Sequence, residues 1–361
     1  MDSETRFNLL KGIAQEIVTE QELAELVDSG KKLTAYDGFE PSGLAHLPIG
    51  IYRPLLLKDL QKADVKFTLL LADSYSWINE KLGGDLEKIR LVGKYFIEVW
   101  KAAGLDTKKI TVRHHMDFFE DAEYWKTVLL VAKNHTEART KRALQIAGRK
   151  ENEIRQAAQL FYPSMQTADV LYMGVDICQL GMDQRKANIL AREVAEKLGK
   201  KKPVALHHRM LLGLDGMSSA SAADETSIDK EIDAKMSKSK PNTCIFVHDS
   251  TEEIAKKINA AFCPVKVVQG NPILEYSREI VFRAYKEMKI ERPSKFGGDV
   301  AYENYADLEK DFAAGKLHPA DLKKSVAGNI DKLVAPIRSH FEKNPAARKL
   351  FAEVKSFEVT R

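Results

Sequence analysis

Lys235-Met236-Ser237-Lys238-Ser239 sets two lysines three positions apart among small and apolar residues. Lysine ammonium groups are point charges suited to phosphate oxygens, and a loop carrying two of them can close over a polyphosphate leaving group. Standing alone, such a pentapeptide is more often a solvated loop. His46-Leu47-Pro48-Ile49 follows the turn Glu40-Pro41-Ser42-Gly43 and lies between a strand and a helix. At the carboxyl ends of strands in a doubly wound sheet, helix N-termini face anions, and a histidine there can donate to a phosphate. Alone, a helix-start histidine packed locally is the simpler reading. The adjacent pairs His114-His115 and His207-His208 sit on strands, where neighbours point to opposite faces. Neither pair makes a natural metal clamp, and strand-end packing is the simpler reading for both.

These groups act together only if a scaffold brings them to one place. Two helices open the chain, and the second begins with a capping box, Thr19 with Glu22. A strand is expected over Leu33 to Gly38, then a helical stretch led in by His46 and Pro48 and running through Leu60. Phe67 to Ala72 is a continuous apolar run, as a buried parallel strand would be. A helix around Leu86 to Ala103 and a strand over Ile110 to His114 follow. Strand, helix, strand, helix, strand implies a parallel sheet covered by helices. Residues from about 117 to 160 read as a helical, basic insertion. The sheet resumes near Met173 to Asp176 and at Pro203 to His207. The stretch Ser218 to Asp233, within a clamp loop of about 217–240, is small, polar and acidic, and reads as mobile. A second capping box, Ser250 with Glu253, opens a mostly helical tail. In it Leu322, Val326, Ile330, Leu333 and Ile337 keep helical spacing, and Pro336 is expected to kink or end that helix. The division falls near Asn242, giving an α/β unit over 1–242 and a helical unit over 243–361.

At 361 residues the chain has room for about two domains of ~100–200 residues each. A net charge of +4 permits an anionic partner without demanding one. Cys178, Cys244 and Cys263 are far apart and odd in number, which suits neither a disulfide framework nor a zinc knuckle. Met1-Asp2-Ser3-Glu4 lacks the basic start and apolar stretch of a signal peptide, and no apolar run approaches the roughly 20 residues of a membrane span. The expectation is a reduced, soluble, cytoplasmic protein with no membrane contact and no resident metal.

Taken together and in this order, the histidine and lysine motifs resemble the HIGH and KMSKS signatures of class I aminoacyl-tRNA synthetases. Tyr36-Asp37-Gly38-Phe39-Glu40-Pro41-Ser42-Gly43 is similar to the first-strand signature of tyrosyl-tRNA synthetases of the archaeal and eukaryotic kind. So are Tyr162-Pro163-Ser164-Met165-Gln166-Thr167-Ala168-Asp169 and Gly181-Met182-Asp183-Gln184-Arg185-Lys186. Phe296-Gly297-Gly298-Asp299 and Leu317-His318-Pro319-Ala320-Asp321-Leu322-Lys323 resemble that family's tail, so the similarity covers nearly the whole chain. There are departures. Pro48 and Ile49 stand where the signature has its glycine and second histidine, and Ser74-Tyr75-Ser76-Trp77 stands where the family has Leu-His-Ala-Tyr. Met217-Ser218-Ser219 mimics the lysine motif but lacks the leading lysine, which assigns the clamp to Lys235–Ser239.

The resemblance implies a Rossmann-like parallel-sheet catalytic domain with a helical insertion, followed by a helical anticodon-binding domain. It implies activation of L-tyrosine with ATP and its Mg²⁺, then transfer of tyrosine to the 3'-terminal adenosine of tRNA(Tyr), in a homodimer formed through the inserted region. Such chemistry needs positioning and charge stabilisation more than a protein nucleophile, in keeping with a sequence that shows no Ser-His-Asp arrangement. Carried over residue by residue, His46, Lys235 and Lys238 are the catalytic groups facing the ATP phosphates, and Gly38, Glu40, Met236, Ser237 and Ser239 complete the nucleotide site. Tyr162, Gln166 and Gln184 would hold the α-amino group. Tyr36 and Asp169 would bond the phenolic hydroxyl: a carboxylate only accepts, so it takes the phenol proton while Tyr36 donates back. A structural hydrogen bond between those two is the plainer alternative. Arg185, with Arg139, Lys141 and Arg142, would reach the acceptor stem. Phe296 and His318 would stack on an anticodon base whose edge Asp321 reads. A tryptophanyl-tRNA synthetase, a small nucleotidyltransferase of the same superfamily and a catalytically inactive RNA-binding paralogue remain as alternatives.

Overall fold

The protein is described from a computed structural model that covers residues 1–144, 156–217, 230 and 232–357. Most of the stretch expected to form a mobile loop, 218–233, lies outside the described residues, as does 145–155 of the inserted region. Six strands form the main sheet: β1 (Glu16–Val18), β2 (Thr34–Phe39), β3 (Lys66–Leu71), β4 (Ile110–His114), β5 (Ile177–Cys178) and β6 (Val204–His207). Their order is β1-β6-β5-β2-β3-β4, parallel throughout except for β1, which pairs antiparallel with β6. The chain steps from β2 to β3 to β4 and then returns to the other side of β2. The direction of winding reverses between β2 and β5, and a crevice opens at the carboxyl ends of those strands.

The side-chain period of two along β3 builds the layers on each side. Phe67, Leu69 and Leu71 join an apolar cluster with the helices Arg53–Lys62 and Leu86–Ala102, whereas Leu70 joins a second cluster with the helices Ala122–Lys133, Tyr162–Met173 and Arg185–Lys197. All four residues are 1% exposed, the condition under which a strand reads as an unbroken apolar run. One expected strand is displaced. Met173 ends a helix begun at Tyr162, Gly174 stops it at φ 63°, and the strand starts only at Ile177. A left-handed C-terminal residue is a glycine position, and the apolar run around it had read as strand.

After His46 the backbone makes one π-helical turn, Pro48–Tyr52, before the α-helix Arg53–Lys62 begins. Arg53 N–H reaches back to the carbonyl of Pro48, and Pro48 and Pro54 bring no N–H of their own. The widened turn leaves the Ile49 carbonyl to accept the Trp100 indole N–H at 2.8 Å. Gly50 packs so closely on Val247 that a methyl group there would collide with its Cγ1.

The turn also delivers Arg53, 1% exposed, to the base of the crevice. Its guanidinium pairs with Asp37 Oδ2 of β2 at 3.0 Å and donates to the Gln179 carbonyl just beyond β5 at 3.0 Å and to the Gln179 side chain. The rings of Phe39 and Phe67 lie 5.9 and 5.2 Å from its charge. Burial pushes the Asp37 carboxyl up, against the pull of Arg53, and draws the guanidinium down.

The tail carries the helices Thr251–Ala260, Pro272–Tyr276, Tyr305–Ala314, Pro319–Lys343 and Pro345–Lys355, with the short antiparallel pair β7 (Met288–Ile290) and β8 (Val300–Tyr302). Both expected capping boxes are present, at Thr19 and Ser250. Leu322, Val326, Ile330 and Ile337 are buried as their spacing predicts. Pro336 neither ends nor breaks the helix, which runs on to Lys343. Beyond the proline, buried Phe341, an Arg338 bond to the Asp249 carbonyl at 2.8 Å and a His340–Glu98 contact at 2.6 Å hold the last turns, so tertiary contacts outweigh one lost backbone bond. A single apolar cluster runs from Leu10 through Val99 to Phe341 and Val354, so the tail shares the core of the sheet.

Breaking a buried ion pair strands the remaining charge. Arg53→Met should cost about 3–5 kcal/mol in urea unfolding, and Asp37→Asn added to it should recover a large part. Equal stability for the single and double variants would show that the pair does not hold the crevice together.

Candidate active site

The crevice is a cavity of about 300 Å³ whose walls come from the ends of β2 and β3, the helix Tyr162–Met173, the segments after β5 and β6, and the arm at Lys235-Met236. Its inner end is an aromatic and acidic pocket. Asp169 is 1% exposed, and three protein donors hold it. Tyr75 Oη donates to Oδ2 at 2.6 Å, while Tyr124 Oη and His115 Nε2 meet Oδ1 at 2.9 and 2.7 Å. Beside it the Tyr36 hydroxyl, also buried, has no hydrogen-bond partner among the described residues. The plainer alternative, a structural bond between Tyr36 and Asp169, is therefore not what the pocket contains. Burial, with Cys178, Asp169 and Asp37 nearby, raises the Tyr36 phenol well above its ordinary range, so it keeps its proton.

Midway along the cavity are amide and hydroxyl groups. Tyr162 Oη donates to Glu40 Oε1 at 2.8 Å, and Asn79 Nδ2 donates to the same oxygen at 2.8 Å. Gln166 Nε2 donates to Gln184 Oε1 at 3.0 Å, which leaves the buried Gln166 Oε1 without a partner among the described residues. Gly38 lines the wall with room at its Cα, where an added methyl group would meet nothing nearer than the Leu70 carbonyl at 3.9 Å.

The third part of the wall carries His46 and Lys235. His46 is 7% exposed; burial first, then the charge of Lys238, lowers its pKa well below the usual histidine range. It is a neutral imidazole, and its buried Nδ1 has no partner among the described residues. Lys235 Nζ pairs with Asp183 Oδ2 at 2.6 Å; burial alone would lower its pKa, but that carboxylate raises it. Backbone contacts fix this arm: Met236 N–H donates to the Leu211 carbonyl at 2.7 Å, and Lys235 bridges to Leu212. Ser237, Lys238 and Ser239 stand beside the cavity and do not line it. Lys238 donates to Ser42 Oγ at 2.9 Å and lies 5.4 Å from the Phe96 ring centre, and burial lowers its pKa to about 8. Ser237 and Ser239 bond each other through their hydroxyls at 2.9 Å.

Thus Tyr36, Gly38, Glu40, His46, Tyr162, Gln166, Asp169, Gln184, Lys235 and Met236, drawn from four distant stretches of sequence, line one cavity. The RNA-facing candidates lie elsewhere. Arg185 binds Glu16 through Nε at 2.8 and 2.9 Å, Arg139 binds Glu193 at 3.1 Å, and Lys141 binds Glu137 at 2.8 Å. His318 caps the helix Pro319–Lys343 by accepting Ala320 N–H at 3.2 Å while remaining exposed, and Asp321 lines an open groove with Lys289, Lys324 and Lys332. Phe296 ends a short 3₁₀ turn, Ser294–Phe296, and its side chain lies outside the described part of the protein.

Sequence reasoning missed the groups that hold Asp169. It assigned His115 to strand-end packing, yet that ring is fully buried against the carboxylate. Both residues of the His114-His115 pair sit at the carboxyl end of β4, where such sheets bind ligands, and that position was the available signal. Tyr75 belonged to the departure from the family pattern at Ser74–Trp77.

Residues 28–335 match the family described as tRNA synthetases class I (W and Y). A tyrosine–tRNA ligase of Saccharolobus islandicus is 44% identical over 365 residues, covering 100% of both chains, and that of Pyrococcus abyssi is 46% identical over 98% of this chain and 99% of its own. The crystal structure of tyrosyl-tRNA synthetase from Pyrococcus horikoshii complexed with L-tyrosine superposes with a TM-score of 0.90 at 43% identity, covering 98% of this chain and 100% of that one. The family match alone leaves tryptophan and tyrosine enzymes side by side; the end-to-end relatives separate them. The chain belongs to the tyrosyl-tRNA synthetases, class I tyrosine–tRNA ligases of the archaeal type.

Proposed function

We propose that this cavity makes tyrosyl-adenylate from L-tyrosine and ATP and then esterifies tRNA(Tyr), with each end of the cavity serving one reactant. The observation that carries the reading is the inner pocket, where a buried hydroxyl without a partner among the described residues stands beside a buried carboxylate. A phenol O–H donates to Asp169 and accepts from Tyr36, and a phenyl ring does neither. Gln166 Oε1, with Tyr162 and Gln184, meets the α-ammonium group. The tyrosine carboxylate oxygen then attacks the α-phosphorus, the bond to the β-phosphate breaks, and pyrophosphate leaves. His46 offers an N–H from a neutral ring to the phosphates, and Lys235 and Lys238 take up charge that grows on the leaving group. Asp183 holds Lys235 until phosphate competes for it. Gly38 and Glu40 complete the nucleotide site with Met236, Ser237 and Ser239. Mg²⁺ would accompany the phosphates of ATP, and every step is assigned to this chain's own residues. In the second step a ribose hydroxyl of the terminal adenosine attacks the acyl carbon, and AMP departs.

The same reading gives residues 243–361 to the anticodon, with Phe296, His318 and Asp321 on its first base and Arg185 near the acceptor stem. Stacking survives the capping role of His318, because that contact uses one ring nitrogen and leaves the ring exposed. A homodimer accounts for the helix Ala122–Lys133, which presents Leu129 at 60% exposure. No described helix is long and apolar enough to cross a membrane.

Four measurements test this. Asp169→Ala should sharply weaken tyrosine use in pyrophosphate exchange and narrow the gap to phenylalanine. Rejection of phenylalanine by a tyrosyl enzyme is itself the standard example of such discrimination, ~10⁵-fold, and that scale belongs to the example and not to this geometry. Unchanged discrimination would remove the phenol assignment. Lys238→Ala should slow adenylate formation by roughly 10²–10³ with tyrosine affinity unchanged. Because the lysine must be protonated and burial brings its pKa down to about 8, kcat/KM for ATP should fall as pH rises through that value. Lys238→Arg should move the fall to higher pH, and a fall left in place would assign the titration to another group. In the tail, Asp321→Ala should shrink the charging penalty for a tRNA altered at the first anticodon base while exchange stays normal. Loss of exchange in step with charging would refute that site.

A further inference from the structure

A carboxylate offers about four lone-pair sites. On Asp169 two are taken at Oδ1, by His115 Nε2 at 2.7 Å and Tyr124 Oη at 2.9 Å, and a third at Oδ2 by Tyr75 Oη at 2.6 Å. One acceptor site on Oδ2 stays open, and the pocket also holds the buried Tyr36 hydroxyl without a partner among the described residues. The three donors are themselves held. His115 Nδ1 meets the Ser74 hydroxyl, so the ring donates through Nε2 to the carboxylate and accepts from Ser74 at Nδ1. The Tyr75 ring packs between His115 and Tyr162, with centroids 4.5 and 4.4 Å away. Burial first, and Asp169 second, raise the Tyr75 phenol well above its ordinary range, so it is a donor at every working pH. Ser74 and Tyr75 both come from the short helix Asp73–Ile78, directly after β3. That segment therefore closes the cavity wall and loads the carboxylate.

We propose that Tyr75 is a specificity-determining residue of the amino-acid pocket: by filling the first acceptor site on Asp169 Oδ2, it leaves a single open acceptor beside the single unpaired Tyr36 hydroxyl. One phenolic O–H satisfies both, and phenylalanine satisfies neither. This rests on the reading that Asp169 receives the substrate phenol. Without the Tyr75 hydroxyl, Oδ2 has two open sites, and the volume that hydroxyl filled is freed for a water molecule. A water needs two to four polar partners, and Oδ2 with Tyr36 supplies them. Such a water would pair Asp169 and Tyr36 while phenylalanine occupies the ring site, and it would remove most of the penalty for the missing hydroxyl. Tyr75 thus acts against the wrong substrate more than for the right one.

The test is Tyr75→Phe, which keeps the ring and deletes the donor, with kcat/KM measured for tyrosine and for phenylalanine in pyrophosphate exchange. The ratio of the two should fall about ten-fold or more, mainly through better use of phenylalanine. The ratio does not depend on how much of the sample is folded, so a purely structural role would leave it unmoved. Tyr124→Phe, which deletes a donor from Oδ1, is the second variant and should lower the ratio in the same direction. An unchanged ratio in Tyr75→Phe, alongside a collapse of the ratio in Asp169→Ala, overturns this inference alone, whatever Tyr124→Phe does. An unchanged ratio in Asp169→Ala overturns the phenol assignment beneath it.

Discussion

The guanidinium of Arg53 is almost fully buried, and the organisation of the crevice follows from how the chain neutralises it. Its partners are Asp37 on β2 and Gln179 just past β5, the two strands between which the sheet reverses direction. Gln179 passes the connection on through Nε2 to His208 Nδ1 at 3.2 Å, at the end of β6. A buried ion pair is a weak source of net stability, because desolvating two charges offsets most of their attraction. Its effect here is geometric. Removing either member leaves an uncompensated charge, so β2, β5, β6 and the turn after His46 keep one mutual arrangement. Tyr36 precedes Asp37 and Gly38 to Glu40 follow it, so every residue that β2 gives to the cavity is referred to that pair.

The histidine-bearing loop is held from the tail. Leu47 N–H donates to the Ile245 carbonyl at 2.8 Å, and Val247 N–H to the Ala45 carbonyl at 3.1 Å, so His46 lies in a short antiparallel contact with Phe246. Ala45 N–H donates to Tyr95 Oη at 3.2 Å; that oxygen meets His248, whose ring stacks on Phe351 of the last helix at 3.8 Å. The lysine arm is fixed from the same side: Leu212, which bridges to Lys235, gives its N–H to Glu275 at 2.7 Å and its carbonyl to Tyr276 at 2.5 Å. The histidine and lysine motifs therefore take their positions from the helical tail. The π turn explains how the chain accommodates Pro48 and Ile49. It commits the Ile49 carbonyl to Trp100 and leaves the Ile49 side chain half-buried against the core.

Much of this was legible in the residues themselves. The unbroken apolar run of β3, the capping boxes at Thr19 and Ser250, and the helical spacing from Leu322 to Ile337 each report a local energetic preference, and local preferences survive into the fold. The motifs at Tyr36 to His46, Tyr162 to Asp169 and Lys235 to Ser239 named many of the residues that line the cavity, because each type carries a chemistry legible without coordinates. Where local reading failed, a non-local contact decided. Contacts from Glu98, Asp249 and the core carry the helix past Pro336, whereas Gly174, a local stop signal, ends a helix where an apolar run had suggested a strand.

The sequence by itself determined the sheet class and picked out the histidine and lysine motifs and the Tyr36 and Asp169 pair, since these follow from side-chain type and period along the chain. Only the tertiary structure decided what surrounds Asp169. Tyr75, His115 and Tyr124 lie 94, 54 and 45 positions from it, and hydrogen bonds across such separations leave no trace in local pattern. Their partners become known when β3, β4 and the helix Tyr162–Met173 are packed together. The same packing leaves the Tyr36 hydroxyl buried and unpaired among the described residues, a property of the space around a residue and not of the residue itself.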